Sequence, residues 1–334
     1  MKSRAVIDRG VGETRVAVYV GKRLVEIYLR RWSDKFKPRL GDIFAGRISA
    51  IDPSIGGAFI DLGDGPHGLL KFTNAKGAPR LTEGQMIKVE IIREAVAEKG
   101  PVVRYVDVSD LSKPAPLVQI TIEDFLIRRY GPDIKIEEAP VNHIEDAVET
   151  VIALPGGGDI AIEPTRALIA IDVDKGNAQS GLDVAGAAVP VIAQHLRLRG
   201  LGGLIAIDFP NIRQPKQRDR LVDSMVNAFE HDPNPVKILP LSRFGVMEMT
   251  RAVKTQSLDA LYADRTVSGA LLALRRLERE ATANPGAKLI LTVPHHVHKW
   301  LDADSIGWKA AMTDKIGARF GFEAGGTLDV KADR

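Results

Sequence analysis

Two aspartates close identical pentapeptides in this chain: Leu-Ile-Ala-Ile-Asp occurs at Leu168–Asp172 and again at Leu204–Asp208. Each copy reads as a short strand ending on a carboxylate. The preceding runs, Ala-Leu-Ile-Ala-Ile and Gly-Leu-Ile-Ala-Ile, are apolar on both faces, the pattern of strands inside a sheet covered on both sides. Between the copies, Val191–Arg199 has helical periodicity and stops at Gly200. A strand–helix–strand unit of this length sets its two strands near each other with matching ends on one edge. Two carboxylates at such ends form a site for a hard divalent cation.

Basic residues flank the second acid. From Arg197 to Arg220 the chain carries Arg197, Arg199, Arg213, Lys216, Arg218 and Arg220 against only Asp208 and Asp219. Such a stretch is either a solvated helix face or the footprint of an anionic polymer lying across the cation. The net charge of +3 decides nothing by itself; the local distribution does.

The elements that must position these groups belong to a folded globular protein, with 334 residues, 45% of them hydrophobic and 27% charged. The longest apolar runs, such as Leu201–Phe209, are too short to span a bilayer, and Met1–Gly10 has no secretory h-region. Cysteine is absent, so disulfides and thiolate metal sites are excluded, and a reducing cytoplasm is the expected compartment. Alternation at Thr14–Val20 and Leu24–Leu29 around Gly21-Lys22-Arg23 predicts a hairpin within residues 1–36. Glycine-punctuated strands between Gly41 and Asp107 predict a small closed barrel over 37–108. A connector holding Pro114 and Pro116 follows. Then come a mixed α/β region to about residue 255, with helical character near His143–Val151 and a turn at Pro155–Asp159, and a C-terminal α/β piece over 256–334. In that piece the strand Lys288–Val293 precedes His295, His296 and His298, whose i, i+1, i+3 spacing without a nearby acid suits solvated surface better than a metal.

The barrel sequence Gly41-Asp-Ile-Phe-Ala-Gly-Arg-Ile, Gly57-Ala-Phe-Ile-Asp-Leu-Gly and His67-Gly-Leu-Leu resembles the S1-type RNA-binding OB fold. In that fold the aromatic of the Ala-Phe-Ile-Asp strand stacks on a base, and Phe59 stands there. A base offers a π-face whatever its identity, so an exposed ring beside basic groups holds single strands without much sequence preference. Phe44, Arg47, His67 and Lys71 are expected to complete the surface.

Order and motif together extend the resemblance. The barrel, Glu98-Lys99-Gly100, the run from His143 to Glu163, Thr165-Arg-Ala-Leu-Ile-Ala-Ile-Asp-Val-Asp, His195-Leu-Arg-Leu-Arg-Gly-Leu-Gly-Gly-Leu-Ile-Ala-Ile-Asp-Phe and Ser242-Arg-Phe-Gly-Val-Met-Glu-Met-Thr-Arg are similar to segments of the bacterial ribonuclease E/G family. The resemblance implies an α+β multidomain fold, with an S1-type OB barrel inserted into a mixed α/β nuclease core. Residues 1–36 would be a hairpin of that core, 109–255 its metal-bearing part and 256–334 a small C-terminal α/β domain. It further implies hydrolysis of single-stranded RNA with Mg²⁺ (Mn²⁺ as a possible substitute) on Asp172 and Asp208. The family's third residue, commonly asparagine, falls on Asp174, which strand alternation puts on the same side as Asp172. An acid there adds charge and removes a hydrogen-bond donor. It serves either as an extra ligand or to orient Asp172. Lys99 matches a basic residue near the family's RNA path. Arg243 is expected at a phosphate, which its planar fork suits, and Glu248 to pair with a basic neighbour; Arg213 and Lys216 join the RNA-binding set.

Two departures limit the inference. Larger members carry an insertion with a pocket for a monophosphorylated 5′ end. Here about 40 residues separate Asp107 from Glu149. A shortened member should cut without regard to the 5′-phosphate. Larger members also share zinc between subunits through a Cys-x-x-Cys pair; this chain has Lys254-Thr-Gln-Ser there, so no zinc is expected and any oligomer is not zinc-linked. The expectation is a cytoplasmic, Mg²⁺-dependent endoribonuclease with single-stranded RNA and no membrane as partner. Its rivals are a non-catalytic RNA-binding protein that keeps the fold and a nuclease for single-stranded DNA.

Overall fold

The computed structural model describes residues 3–34, 37–96, 99–142 and 144–333. Along the chain, β1 (Ser3–Gly10), β2 (Glu13–Val20) and β3 (Arg23–Arg31) precede five barrel strands. These are β4 (Ile43–Asp52), β5 (Gly57–Asp61), β6 (Gly68–Lys71), β7 (Met86–Arg93) and β8 (Val102–Val108). Then follow β9 (Ala115–Val118), α1 (Ile122–Tyr130), β10 (Lys135–Glu138), β11 (Val151–Ala153), β12 (Asp159–Pro164) and β13 (Ile169–Asp174). Next are α2 (Gly181–Leu198), β14 (Gly203–Asp208), α3 (Pro215–Ala228), β15 (Val236–Ile238) and β16 (Val246–Arg251). The last stretch holds α4 (Leu258–Tyr262), α5 (Arg265–Ala283), β17 (Lys288–Val293), α6 (His295–Ala303), α7 (Trp308–Ile316), β18 (Phe320–Ala324) and β19 (Asp329–Asp333). The chain is mixed α/β, and it divides into two compact units: residues 1–35, 135–144 and 258–334, and residues 36–134 and 145–257.

In the second unit, pairings β4–β5, β5–β6, β6–β8, β8–β7 and β7–β4 close a five-stranded barrel. Strict alternation makes it possible: Ile87, Val89 and Ile91 of β7 all point inward to meet Ile48, Ile60, Leu70 and Val103. Burying each such side chain contributes about 1.5–3 kcal/mol. The proline-bearing segment expected as a connector adds β9 to β4 instead. As an edge strand, β9 tolerates Pro116, which has no N–H to donate.

The rest of this unit is a six-stranded sheet ordered β11-β12-β13-β14-β16-β15, in which β13 and β14 run parallel. Only one face is covered, which corrects the expectation of a doubly covered sheet. Ile160, Ile162, Ile169, Ile171, Val173, Ile205, Ile207, Met247 and Met249 pack on α2 through Val184, Ala188, Ile192 and Leu196, and on α3 through Leu221 and Met225. The alternate positions carry the small Ala161, Ala170 and Ala206 and a run of acids, and Leu204 is 47% exposed. An apolar run in which every second residue is alanine has only one face able to bury much surface.

The helix expected near His143–Val151 is also corrected. A single 3₁₀ turn covers Glu145–Val148 and β11 begins at Val151, while His143 lies outside the described residues. The turn expected at Pro155–Asp159 is the β11–β12 hairpin, closed by Gly157 N–H donating to the Leu154 carbonyl at 3.2 Å.

In the first unit, β1, β2 and β3 form an antiparallel meander with β10 added parallel to β1. The three-stranded sheet β18-β17-β19 packs with α5, α6 and α7 around Leu274, Leu277, Leu289, Leu291 and Trp308. The N-terminal strands, expected as part of the nuclease core, therefore group with the C-terminal segment, so the boundaries 1–36 and 256–334 do not separate two domains. The reason is buried charge. Glu13 meets Arg15 and Arg31, and Arg31 donates to the Leu261 carbonyl at 2.8 Å and to Ser268 Oγ at 3.0 Å. None of the helices among the described residues is long and apolar enough to cross a membrane.

Candidate active site on the open face of the six-stranded sheet

The parallel register of β13 on β14 places Asp172 directly opposite Asp208. Ladder partners share a face, so both carboxylates stand on the open side at about 4.8 Å strand spacing. The match comes from the duplicated pentapeptide, which sets the same register of large and small residues on both strands: Ile169 against Ile205, Ala170 against Ala206, Ile171 against Ile207. A one-residue slip would turn Asp172 into the packed core.

Two further acids join this face. Asp174 follows Asp172 at the strand period, and β12 sets Asp159 opposite Asp174. Sequence reasoning missed Asp159; it read the position as part of a turn, and only the hairpin pairing reveals its face. The hairpin depends on a close approach at Gly158 (φ +80°), where a Cβ would lie 2.5 Å from the Asp174 carbonyl oxygen. The arrangement is electrostatically uncomfortable. Partial loss of water, then the charges of Asp208, Asp174 and Asp159, push the Asp172 carboxyl above its ordinary value, against a hydrogen bond from the Val173 backbone. A bound divalent cation would relieve this repulsion, and the oxygen-only donor set is that of a hard ion. Asp172 and Asp208 fit that role. Among the described residues no three His, Asp or Glu side chains converge as a ready-made metal cage. Two carboxylates suffice for Mg²⁺, whose remaining positions go to water and substrate phosphate. Asp174 is partly committed elsewhere, since its Oδ1 accepts from Gly176 N–H at 2.9 Å.

Cationic groups follow Asp208 along the chain or stand on the turn before its ladder partner strand. The turn before β16 carries Arg243, which is exposed, and β16 sets Val246 opposite Asp208. Arg213 and Lys216, also exposed, lie on the loop after Asp208 and the first turn of α3. Glu248, expected in an ion pair, stands exposed on the same open face opposite Ala206 with no ion pair among the described residues.

The barrel gathers most of its expected residues on one outer surface. Arg47 faces Asp61, Phe59 faces Leu69, and Lys71 follows Leu69 at the strand period. Ser49 Oγ donates to the Phe59 carbonyl at 3.1 Å and lies 2.9 Å from His67 Nδ1, tying β4, Phe59 and His67 together. Phe59 is 37% exposed, so its ring is reachable. Arg47 spends one N–H on the Ser112 carbonyl at 2.7 Å. Lys99 is exposed beside Gly100, whose backbone packs so close to His67 that a Cβ would lie 2.0 Å from its carbonyl oxygen; Glu98 lies outside the described residues. Phe44 is a correction. It is 4% exposed and packs in the barrel core, because β4 alternation turns positions 44 and 48 inward and Arg47 outward. It has no face to offer a base.

Residues 109–254 match the profile of the Ribonuclease E/G family. Ribonuclease E of Escherichia coli (strain K12) is 36% identical over 124 residues, which is 35% of this chain and 12% of that protein. The Ribonuclease E/G-like chloroplastic protein of Arabidopsis thaliana is 36% identical over 121 residues, 32% of this chain and 12% of its own length. Ribonuclease G of Haemophilus influenzae (strain ATCC 51907 / DSM 11121 / KW20 / Rd) is 31% identical over 130 residues, 37% of this chain and 26% of its own. The similarity thus spans a small fraction of each of these proteins, and the family profile covers the residues that include Asp172 and Asp208.

Proposed function

We propose that the protein is an endoribonuclease that hydrolyses single-stranded RNA with a divalent cation, Mg²⁺ or Mn²⁺ in its place, a reading supported by the match of residues 109–254 to the Ribonuclease E/G family. The observation that carries this reading is the register of Asp172 on Asp208 across parallel strands of an open sheet face. Asp172 and Asp208 would hold the ion. When bound, it supplies a Lewis acid for the phosphoryl group and a water of lowered pKa. The protein's own groups do the rest. Phe59 stacks on a base while Arg47, His67, Lys71 and Lys99 hold the strand on the barrel. Arg243, Arg213 and Lys216 supply cationic contacts to the phosphodiester. Asp174 fixes the loop beyond β13 through Gly176 and adds negative charge beside Asp172. Water adds to phosphorus and the 3′ oxygen departs, leaving a 5′-phosphate and a 3′-hydroxyl.

The test is cleavage of labelled single-stranded RNA and DNA by purified protein with Mg²⁺ or with EDTA. RNA cutting that disappears in EDTA is the expected outcome. RNA binding without cutting in Mg²⁺ would overturn the enzyme reading, and preferential DNA cutting would overturn the substrate. The short segment between Asp107 and Glu149, which holds β9, α1 and β10, bears on the choice of RNA end. We expect one oligonucleotide to be cut at the same rate, within about threefold, whether it starts with a 5′-monophosphate or a 5′-hydroxyl; a difference above about tenfold, or 1.4 kcal/mol, contradicts this. The proposed compartment is the cytoplasm. Without cysteine, any self-association uses contacts other than a thiolate-held zinc.

A further inference from the structure

Phe244 is 92% exposed, and among the described residues the other large exposed apolar side chains reach at most 56%, at Val151. An exposed ring on a floppy loop would mean little, but this one sits on a pinned turn. Gly245 N–H donates to the Ser242 carbonyl at 3.0 Å, Ser242 N–H to the Val246 carbonyl at 2.9 Å, and Val246 N–H to Ser242 Oγ at 3.2 Å. Arg218 of α3 donates to the carbonyls of Leu241, at 3.0 Å, and Ser242. Gly245 takes φ +93°, with its missing Cβ 3.6 Å from the Phe209 carbonyl oxygen, so the turn abuts the residue that follows Asp208.

The position is set by the same ladder that builds the acid site. Val246 lies opposite Asp208, and Phe244 is two residues back along the chain. One strand spacing plus two residues of chain puts the two Cα atoms within roughly 12 Å of each other. Beside Phe244, Arg243 presents a guanidinium with no partner among the described residues. An exposed ring adjoining a free arginine offers one contact for a base and one for a phosphate, the two parts of a nucleotide.

We propose that Phe244 is a stacking platform for the RNA base adjoining the phosphodiester presented to Asp172 and Asp208, with Arg243 on the neighbouring phosphate. This rests on the endoribonuclease reading and deepens it. The barrel's Phe59 holds the strand at a separate place; Phe244 fixes which nucleotide lies at the cut. Stacking accepts any base, so the platform sets register and not sequence.

The test uses the full chain with Phe244→Ala, Phe244→Tyr and Phe244→Trp, and a short unstructured RNA in which a single abasic nucleotide is moved along the strand. Binding is read by anisotropy in EDTA, so that it does not depend on turnover, and cleavage is read in Mg²⁺. Phe244→Ala is expected to weaken binding about tenfold or more and to raise KM accordingly. Tyr and Trp should stay within about threefold of the parent, and the melting temperature should not move. One abasic position beside the cut should weaken the parent by a similar factor and leave Phe244→Ala no worse. If Phe244→Ala binds as the parent does, or loses binding equally with the abasic strand, the platform is refuted. If the parent fails to cut in Mg²⁺, the endoribonuclease reading falls by itself, and the anisotropy series still decides the stacking.

Discussion

Asp208→Asn is expected to lower kcat for RNA cleavage on the order of a thousandfold, corresponding to the several kcal/mol that one ligand of a catalytic metal supports. Binding to the barrel surface should be nearly unchanged, because Phe59, His67 and Lys71 are untouched. Stability gives the discriminating signature. Asp208 is exposed at a strand end, and its charge is one of those that push the Asp172 carboxyl up. Removing it relieves like-charge repulsion, so the melting temperature without metal should hold steady or rise slightly. Adding Mg²⁺ should then raise the melting temperature of the parent but not of the variant, since a ligand stabilises only the state that binds it. A structural acid would behave in the opposite way: its loss would lower the melting temperature while cleavage persisted. Undiminished cutting by Asp208→Asn, measured at saturating Mg²⁺ under single-turnover conditions, would remove the two-carboxylate site from the mechanism.

What could be seen in the residues alone was the part governed by local period. The duplicated pentapeptide, its interposed helix and its terminal acids are short-range patterns, and the ladder joins them as their spacing requires. The barrel was legible for the same reason, since inward and outward positions alternate along β7 without a break. Phe44 shows the limit: the family pattern put an aromatic near the RNA surface, but only the register of β4 against β7 and β9 tells which way its ring turns. Asp159 and Phe244 escaped because each owes its place to a pairing partner distant in sequence, Asp174 for one and Asp208, through Val246, for the other. The domain boundary failed for a related reason. Glu13, Arg15 and Arg31 read locally as polar residues of surface strands, and nothing local reveals that Arg275, far along the chain, meets Asp8 and Glu13.

That same network sets up the largest stability effect expected in the molecule. Glu13 is 1% exposed, with one oxygen 2.9 Å from Arg15 Nε and 3.8 Å from Arg275 Nε and the other 3.2 Å from Arg31 Nε. Arg275 is shared with Asp8 at 2.6 Å and also donates to the Glu13 carbonyl at 2.7 Å. Glu13→Gln keeps the shape but removes the charge of the carboxylate that Arg15, Arg31 and Arg275 approach. Breaking a buried ion pair from one side costs about 3–5 kcal/mol, because the partners stay buried and uncompensated. Against a total stability of about 5–15 kcal/mol this is severe. The thermal transition of the unit containing residues 258–334 should fall on the order of 10 °C. The pair Arg9–Glu138 provides the comparison: both side chains are exposed, so Glu138→Ala should change stability by less than about 1 kcal/mol. Denaturant titration of both variants separates the cases. If Glu13→Gln unfolds at the same midpoint as Glu138→Ala, buried charge is not what binds the N-terminal strands to α5, and the apolar contacts of Leu271 and Leu274 with Gly12 must carry that junction instead.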